Sequence, residues 1–250
     1  MTTAAARAVW RIKETSRPYR AGDSPGQHGK RGEAWLSAVR NALPAGGGHL
    51  DLGCGAGRMT FALAGHWGRG GWSVGADLDE DSLRTARARA EREGLTGARF
   101  IRLDVEKEDY TAPLSGRVPD LVTAHLCMGT EIIERAASVL PAGGVFAGVA
   151  LHVDLWKETG RASRFAMSEA VLENLLHQYG LSPFFLRLEK EVLEFESVQE
   201  ALEEYFQNGE AVPRWLDDSR WEAIRKYFSE GGRTVTSRAQ VQCIARKRPA

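Results

Sequence analysis

"HLDLGCGAGRMTFALAG", residues 49–65, places glycines at 53, 55 and 57 between an apolar run and a run with helical spacing. Glycine alone takes positive φ without steric cost and lets a ligand lie against bare backbone. Three of them where a strand ends and a helix begins therefore point to a bound small molecule. The spacing departs from the dinucleotide fingerprint G-x-G-x-x-G, because Arg58 stands where its third glycine belongs. That departure argues against a nicotinamide dinucleotide.

Outward from this loop, short apolar runs alternate with helix-period runs. "GHLDLG", "WSVGADL", "ARFIRLD", "DLVTAHL", "GGVFAGVALH" and "FFLRLEKEVLEF" read as strands. "RMTFALAGHW", "EDSLRTARARAERE", "TEIIERAASVL" and "MSEAVLENLLHQYG" read as helices between them. Such alternation predicts an α/β fold with a mainly parallel sheet covered on both faces, and a ligand crevice at the carboxyl ends of the strands. Upstream, "EAWLSAVRNAL" puts Trp35, Leu36, Val39 and Leu43 on one helical face before "PAGGG" ends it. After Glu196 the rhythm changes: "SVQEALEEYFQNG" and "DDSRWEAIRKYFSEGG" read as two helices of an insert at about 197–231, and "TVTSRAQVQCIARK" as a final strand. Residues 1–32, rich in Arg, Gly and polar side chains, read as a flexible or wrapping arm on a single domain covering 33–250.

Three acidic residues sharpen the crevice. Asp77 ends the strand after the loop, where a carboxylate can accept both hydroxyls of a ribose. Helix capping competes for it, although Asp79 or Glu80 could cap instead and leave Asp77 free. Asp104 follows the next strand, positioned either for the exocyclic amine of a base or as a simple turn residue. Asp51 lies inside the first strand, where an acid suits a cationic ligand better than a neutral one.

Taken together, "LDLGCGAGRMT", "VGADLDEDSL" and "RFIRLDVE" resemble the motifs of the class I S-adenosylmethionine-dependent methyltransferases. The resemblance spans roughly residues 33–190 plus the final strand. It implies a Rossmann-like sheet of seven strands with helices on both faces, the last strand antiparallel and the helical insert before it. It also implies S-adenosylmethionine as cofactor. Asp51 with Gly53, Cys54, Gly55 and Gly57 would hold the methionine part, Asp77 and Leu78 the ribose, and Asp104 with the Val105 backbone the adenine. Cys54 is small enough for the loop and is given no chemistry of its own.

Methyl transfer from a sulfonium needs a positioned acceptor and exclusion of water, and a base only where the acceptor carries a proton. His125 and His152, each ending a strand, are the candidate bases. Both also read as structural or cofactor-packing histidines. Tyr19 and His28 of the arm could reach over the site. Tyr205, Phe206, Trp215 and Trp221 could line an acceptor pocket or form the core of the insert.

The chain has 250 residues, 43% of them apolar and 26% charged, with formal net charge zero. A neutral molecule has no global field to draw it to a polyanion or an anionic membrane, so a nucleic-acid role would need a local patch. One is conceivable, because residues 1–40 carry eight Lys/Arg against three Asp/Glu while 191–230 carry eleven Asp/Glu against four Lys/Arg. These regions are either two solvated surfaces or a lid that meets over the crevice. No N/D-P-P-Y/W segment and no Pro-Cys pair follows the fourth strand, so the resemblance does not extend to base-modifying branches. "TAHLCMG" resembles instead the small-molecule methyltransferases, which implies a small-molecule acceptor, methylated on oxygen or nitrogen. RNA or protein methylation through the basic arm, and a non-catalytic binding module, are the other two readings. Cys54, Cys127 and Cys243 lie too far apart for a disulfide framework or a metal-binding C-x-x-C, which suits a reducing cytoplasm and predicts no metal. Nothing approaches a membrane span in length, and the sequence leaves the oligomeric state open.

Overall fold

A computed structural model describes residues 9–25, 32–67 and 70–249. The loop of three glycines joins β2 (Gly48–Leu52), buried throughout, to α2 (Arg58–Leu63). β3 (Trp72–Asp77), α3 (Glu80–Arg92), β4 (Ala98–Arg102) and the short α4 (Thr111–Leu114) follow. Then come β5 (Leu121–His125), α5 (Thr130–Val139), β6 (Val145–His152), a two-residue β7 (Ala166–Met167) and α6 (Glu169–Gln178). β8 (Leu181–Glu194) and β9 (Thr234–Lys247) are long antiparallel partners. α1 (Glu33–Ala42) buries Trp35, Leu36 and Val39, as its spacing predicts. No helix of the described residues is long and apolar enough to cross a membrane.

Sheet order, starting from an N-terminal strand β1 (Trp10–Pro18), is β1-β8-β9-β6-β5-β2-β3-β4, with β7 paired to β6. All neighbours are parallel except at β9, which runs against both β6 and β8. The α/β class and the antiparallel last strand are as expected, but the sheet has nine strands rather than seven. β1 accounts for one of the additions and corrects the reading of 1–32 as a flexible arm over Trp10–Pro18. It pairs with β8 in parallel register from Trp10 opposite Leu186 to Pro18 opposite Glu194. Most of its side chains are exposed. Backbone pairing holds an edge strand of this kind without apolar alternation, so no period-two signal marks it in the sequence. β7, at two residues, is too short to leave a pattern.

Between β8 and β9 the expected first insert helix is a π-helical turn at Glu200–Tyr205 followed by a 3-10 turn at Gln207–Gly209. The second divides into α7 (Arg214–Asp217) and α8 (Arg220–Ser229), because Ser219 adopts a left-handed φ of 65°.

The core is layered on the sheet. Leu50, Leu52, Val74, Val122 and Phe146 pack beneath α5 and α6, while α1 and α2 cover the opposite face with Trp35, Leu36, Met59 and Leu63. The insert has a core of its own, built from Tyr205, Phe206, Trp215, Trp221 and Phe228 against Leu155, Trp156 and Phe195.

Candidate active site

The carboxyl ends of β2, β3, β4, β5 and β6 lie along one edge of the sheet. The glycine loop, Asp77, Asp104, His125 and His152 fall on this edge. Gly53, Gly55 and Gly57 all adopt positive φ, at 59°, 52° and 82°. Their surroundings differ. A Cβ on Gly53 would sit 2.5 Å from Cys127 Sγ, and one on Gly57 would sit 2.6 Å from the Phe61 ring. At Gly55 it would meet nothing within 4 Å. Gly53 and Gly57 therefore serve packing, and Gly55 leaves bare backbone facing open space.

Asp77 is half-buried and holds this loop in place. Its Oδ2 accepts from the Gly55 N–H at 2.7 Å, and its Oδ1 from the Asp79 N–H at 2.9 Å. A carboxylate has about four acceptor positions, so both oxygens keep capacity for a ligand's hydroxyls. Capping of α3 falls to Asp79, which accepts from the Asp81 N–H and from Ser82 Oγ. Leu78 beside it is exposed.

Asp51 is 1% exposed and lies beneath the loop rather than on its surface. Its Oδ2 accepts from the Thr60 N–H and Oγ1, and its Oδ1 from Thr123 Oγ1 at 2.8 Å. The network continues from Thr123 through the buried His49 to Ser73. Burial pushes the Asp51 carboxyl up to about 6 against the opposing bonds from Thr123 and Thr60, and burial holds the His49 imidazole down at about 3. The sequence reading passed over His49 and Thr123. They occupy alternate, core-facing positions of ordinary strands, where only pairing across strands reveals them as partners.

Asp104 lies two residues beyond β4. Partial desolvation opposes ionisation there, but the bond from Lys107 and the Glu106 N–H outweigh it and lower its pKa. The Val105 carbonyl accepts from the Tyr110 hydroxyl.

His125 ends β5 half-buried, its ring 6.0 Å from that of Trp35. His152 is 3% exposed and engaged at both nitrogens: Nδ1 accepts from the Asp154 N–H at 3.1 Å, and Nε2 lies 2.8 Å from Glu169 Oε2. Nδ1 also lies 3.5 Å from Asp154 Oδ2, so the ring sits between two carboxylates with both nitrogens engaged. Such engagement supports the structural reading of this histidine. Among the thiols, burial pushes Cys127 and Cys243 up to about 12 and Cys54 higher still, which leaves none as a thiolate.

The arm and the insert do meet. Tyr19 stacks on Phe195 at 5.4 Å and meets Tyr205 edge-on, and Arg17 is bound by Asp23 and Glu191. Tyr19 is thus part of the insert's aromatic packing, and His28 lies outside the described residues. Tyr205, Phe206 and Trp215 are at most 1% exposed and Trp221 8%, which makes all four core of the insert and corrects their reading as a pocket lining.

A model of the methyltransferase domain family matches residues 45–209, about two thirds of the chain and the whole of the edge just described. The chain belongs to that family. The open backbone at Gly55 beside the spare acceptor capacity of Asp77 suits S-adenosylmethionine as the cofactor of such a domain. The chain is also similar to the biotin biosynthesis bifunctional protein BioCD of Bordetella avium (strain 197N), at 38% identity over 87 residues, or 35% of this chain and 17% of that one. The chain thus matches about a sixth of that relative's length. Among solved structures it resembles the YcgJ protein of Bacillus subtilis, with a TM-score of 0.61 and 15% identity over 88% of this chain and 100% of that one. The cyclase SpnF superposes with a TM-score of 0.55 and 18% identity over 87% and 82% of the two chains. Identities this low speak to the fold alone, and one fold carries several chemistries.

Proposed function

We propose that this methyltransferase transfers its methyl group to an oxygen or nitrogen of a small-molecule acceptor held between the carboxyl end of β6 and the insert. Residues 33–250 then act as one domain, with the insert at 197–231 as the acceptor's cover. S-adenosylmethionine supplies an already activated methyl group, which leaves the protein with placement and exclusion of water. The Gly53–Cys54–Gly55–Gly57 loop takes the methionine end, and Gly55 is where the backbone can be approached. Asp77 accepts from the ribose hydroxyls with Leu78 covering the sugar, and Asp104 with the Val105 backbone receives the adenine. Asp51 acts one step removed, by fixing Thr60 at the start of α2. His125, at the end of β5, is the side chain we assign to proton removal where the acceptor needs it.

The observation that carries this reading is Asp77, whose carboxylate orders the Gly55 amide while keeping acceptor capacity toward the crevice. Two features favour a small acceptor over RNA. Arg17 of the basic arm is already paired with carboxylates, and the net charge is zero. The three cysteines, none in a disulfide and two of them buried, suit a reducing cytoplasm.

Asp77→Ala is expected to weaken S-adenosylmethionine binding by about tenfold or more, since a charge-assisted hydrogen bond is worth roughly 1.5 to 3 kcal/mol. Unchanged affinity by calorimetry would refute the assignment. Incubating labelled cofactor with small-molecule and macromolecular fractions of cell extract tests the acceptor class, and label in the macromolecular fraction alone would overturn it.

A further inference from the structure

Beyond the cofactor edge lies a cleft of about 300 Å³ between the loop from β6 to β7 and the insert. Its floor is apolar, formed by Leu155 and Trp156, both 5% exposed. Trp156 is fixed from several sides. It meets Trp215 edge-on at 4.8 Å, and its backbone N–H donates to the Thr236 carbonyl at 3.0 Å. Nearby Glu158 ties the same loop to β9 by accepting from the Thr236 N–H and Oγ1.

Around this floor stand four guanidinium groups, those of Arg161, Arg164, Arg214 and Arg220. Only two carboxylates answer them among the described residues. Asp218 grips Arg220 Nε at 2.8 and 3.0 Å and lies 3.9 Å from Arg161, while Glu106 lies 3.5 Å from Arg164. Arg214 has no carboxylate within ion-pair reach among the described residues. Four like charges lining one cavity repel each other, and two remain uncompensated, so the cleft carries a focused positive potential. Arg forks also match the planar oxygens of a carboxylate or phosphate, which a solvated lysine patch would not do.

The cleft adjoins the elements that carry the cofactor edge. Leu151, at its edge, is in β6, whose neighbour β5 ends at His125. Arg164 reaches across to Glu106, whose N–H donates to Asp104 at 3.1 Å in the loop after β4.

We propose that this cleft is the acceptor site, and that the acceptor is an organic anion. Its apolar body lies on Trp156 and Leu155, and its carboxylate or phosphate is held by Arg214 and Arg161. The inference rests on the methyltransferase reading above and narrows it to acidic substrates. The anionic group anchors the acceptor, leaving its oxygen or nitrogen directed toward the cofactor edge.

The test uses the full chain loaded with S-adenosylhomocysteine, whose own affinity is measured first. Binding of phenyl phosphate against phenol, and of phenylacetate against phenylacetamide, is then followed by calorimetry and ligand-observed NMR. At least one anion is expected to bind about tenfold tighter than its neutral partner, and which pair shows the difference separates phosphate from carboxylate. Arg214→Gln should weaken that anion about fivefold or more and Arg214→Lys less, with S-adenosylhomocysteine affinity and melting temperature unchanged. Equal binding of charged and neutral probes, no binding of any probe, or indifference to Arg214→Gln, each with normal S-adenosylhomocysteine affinity, would overturn the acidic acceptor and leave the cofactor assignment standing. Failure to bind S-adenosylhomocysteine at all would instead remove the reading on which the proposal rests, and the proposal with it.

Discussion

At the β2–β4 end of the sheet the candidate site is assembled from pieces close in sequence, the three glycines within five residues and Asp77 at the end of the adjoining strand. At the β6–β9 end the cleft draws on residues 151–165 and 214–220, which meet only because the insert packs its aromatic core against Leu155 and Trp156. Backbone conformation governs the first region, and long-range packing of large side chains governs the second. Substitutions in the two should therefore fail differently, by loss of ligand space in one and by loss of shape in the other.

Trp215→Ala attacks the packed region at its centre. A fully buried indole that contacts Trp156, Phe206 and Arg220 is removed, and truncations of this size cost about 3 to 5 kcal/mol. Urea unfolding measures the loss. Cofactor affinity of the folded fraction should remain near that of the parent, and a collapse of that affinity would mean the two regions are coupled.

The loop offers a sharper contrast between two glycines two residues apart. Gly53→Ala combines left-handed strain of about 1 to 2 kcal/mol with a clash against Cys127 of about 1 to 3 kcal/mol, so its main effect is on stability. Gly55→Ala carries only the strain, but its methyl group enters the open space at the crevice and should lower cofactor affinity tenfold or more, about 1.4 kcal/mol. Equal effects of the two on unfolding midpoint and on binding would erase the distinction between packing and contact glycines.

A pH-dependent contrast concerns the polar network under the loop. Asp51 has a folded pKa of about 6, above its ordinary value, so its contribution to stability is full at low pH and lost as pH rises through about 6. His49, held neutral with a folded pKa of about 3, acts oppositely, and stability falls as pH drops below about 6.5. Between about pH 4 and 6 the two slopes oppose each other. Asp51→Asn removes one of them, so the variant should lose about 1.4 kcal/mol per pH unit below about pH 6 relative to the parent. Parallel stability curves in urea from pH 7 to 4.5 would show that Asp51 does not titrate in that window.

The α/β class, the strand succession, the buried face of α1 and the position of the glycine loop were all legible in the sequence. Each rests on a local rule: a period of two or 3.6, or the steric freedom of glycine. Asp79 as the cap of α3 was legible in the same way, which left Asp77 available as expected. Legibility ended where contacts skip along the chain. β1 looked like an arm because an exposed edge strand needs only a partner's backbone, which Leu186–Glu194 supplies some 175 residues away. His152 is a candidate base in the sequence, and only the fold places Asp154 and Glu169 at its two nitrogens.

By itself, the sequence determined that this chain would form a wound sheet with a ligand loop at the tip of an early strand, because backbone freedom and apolar period are written residue by residue. The tertiary structure alone decided that the insert's aromatics face inward, that Asp51 lies beneath the loop, and that four arginines surround one apolar floor. Those outcomes depend on which distant surfaces exclude water from one another, and that is a property of the packed chain, not of any stretch within it.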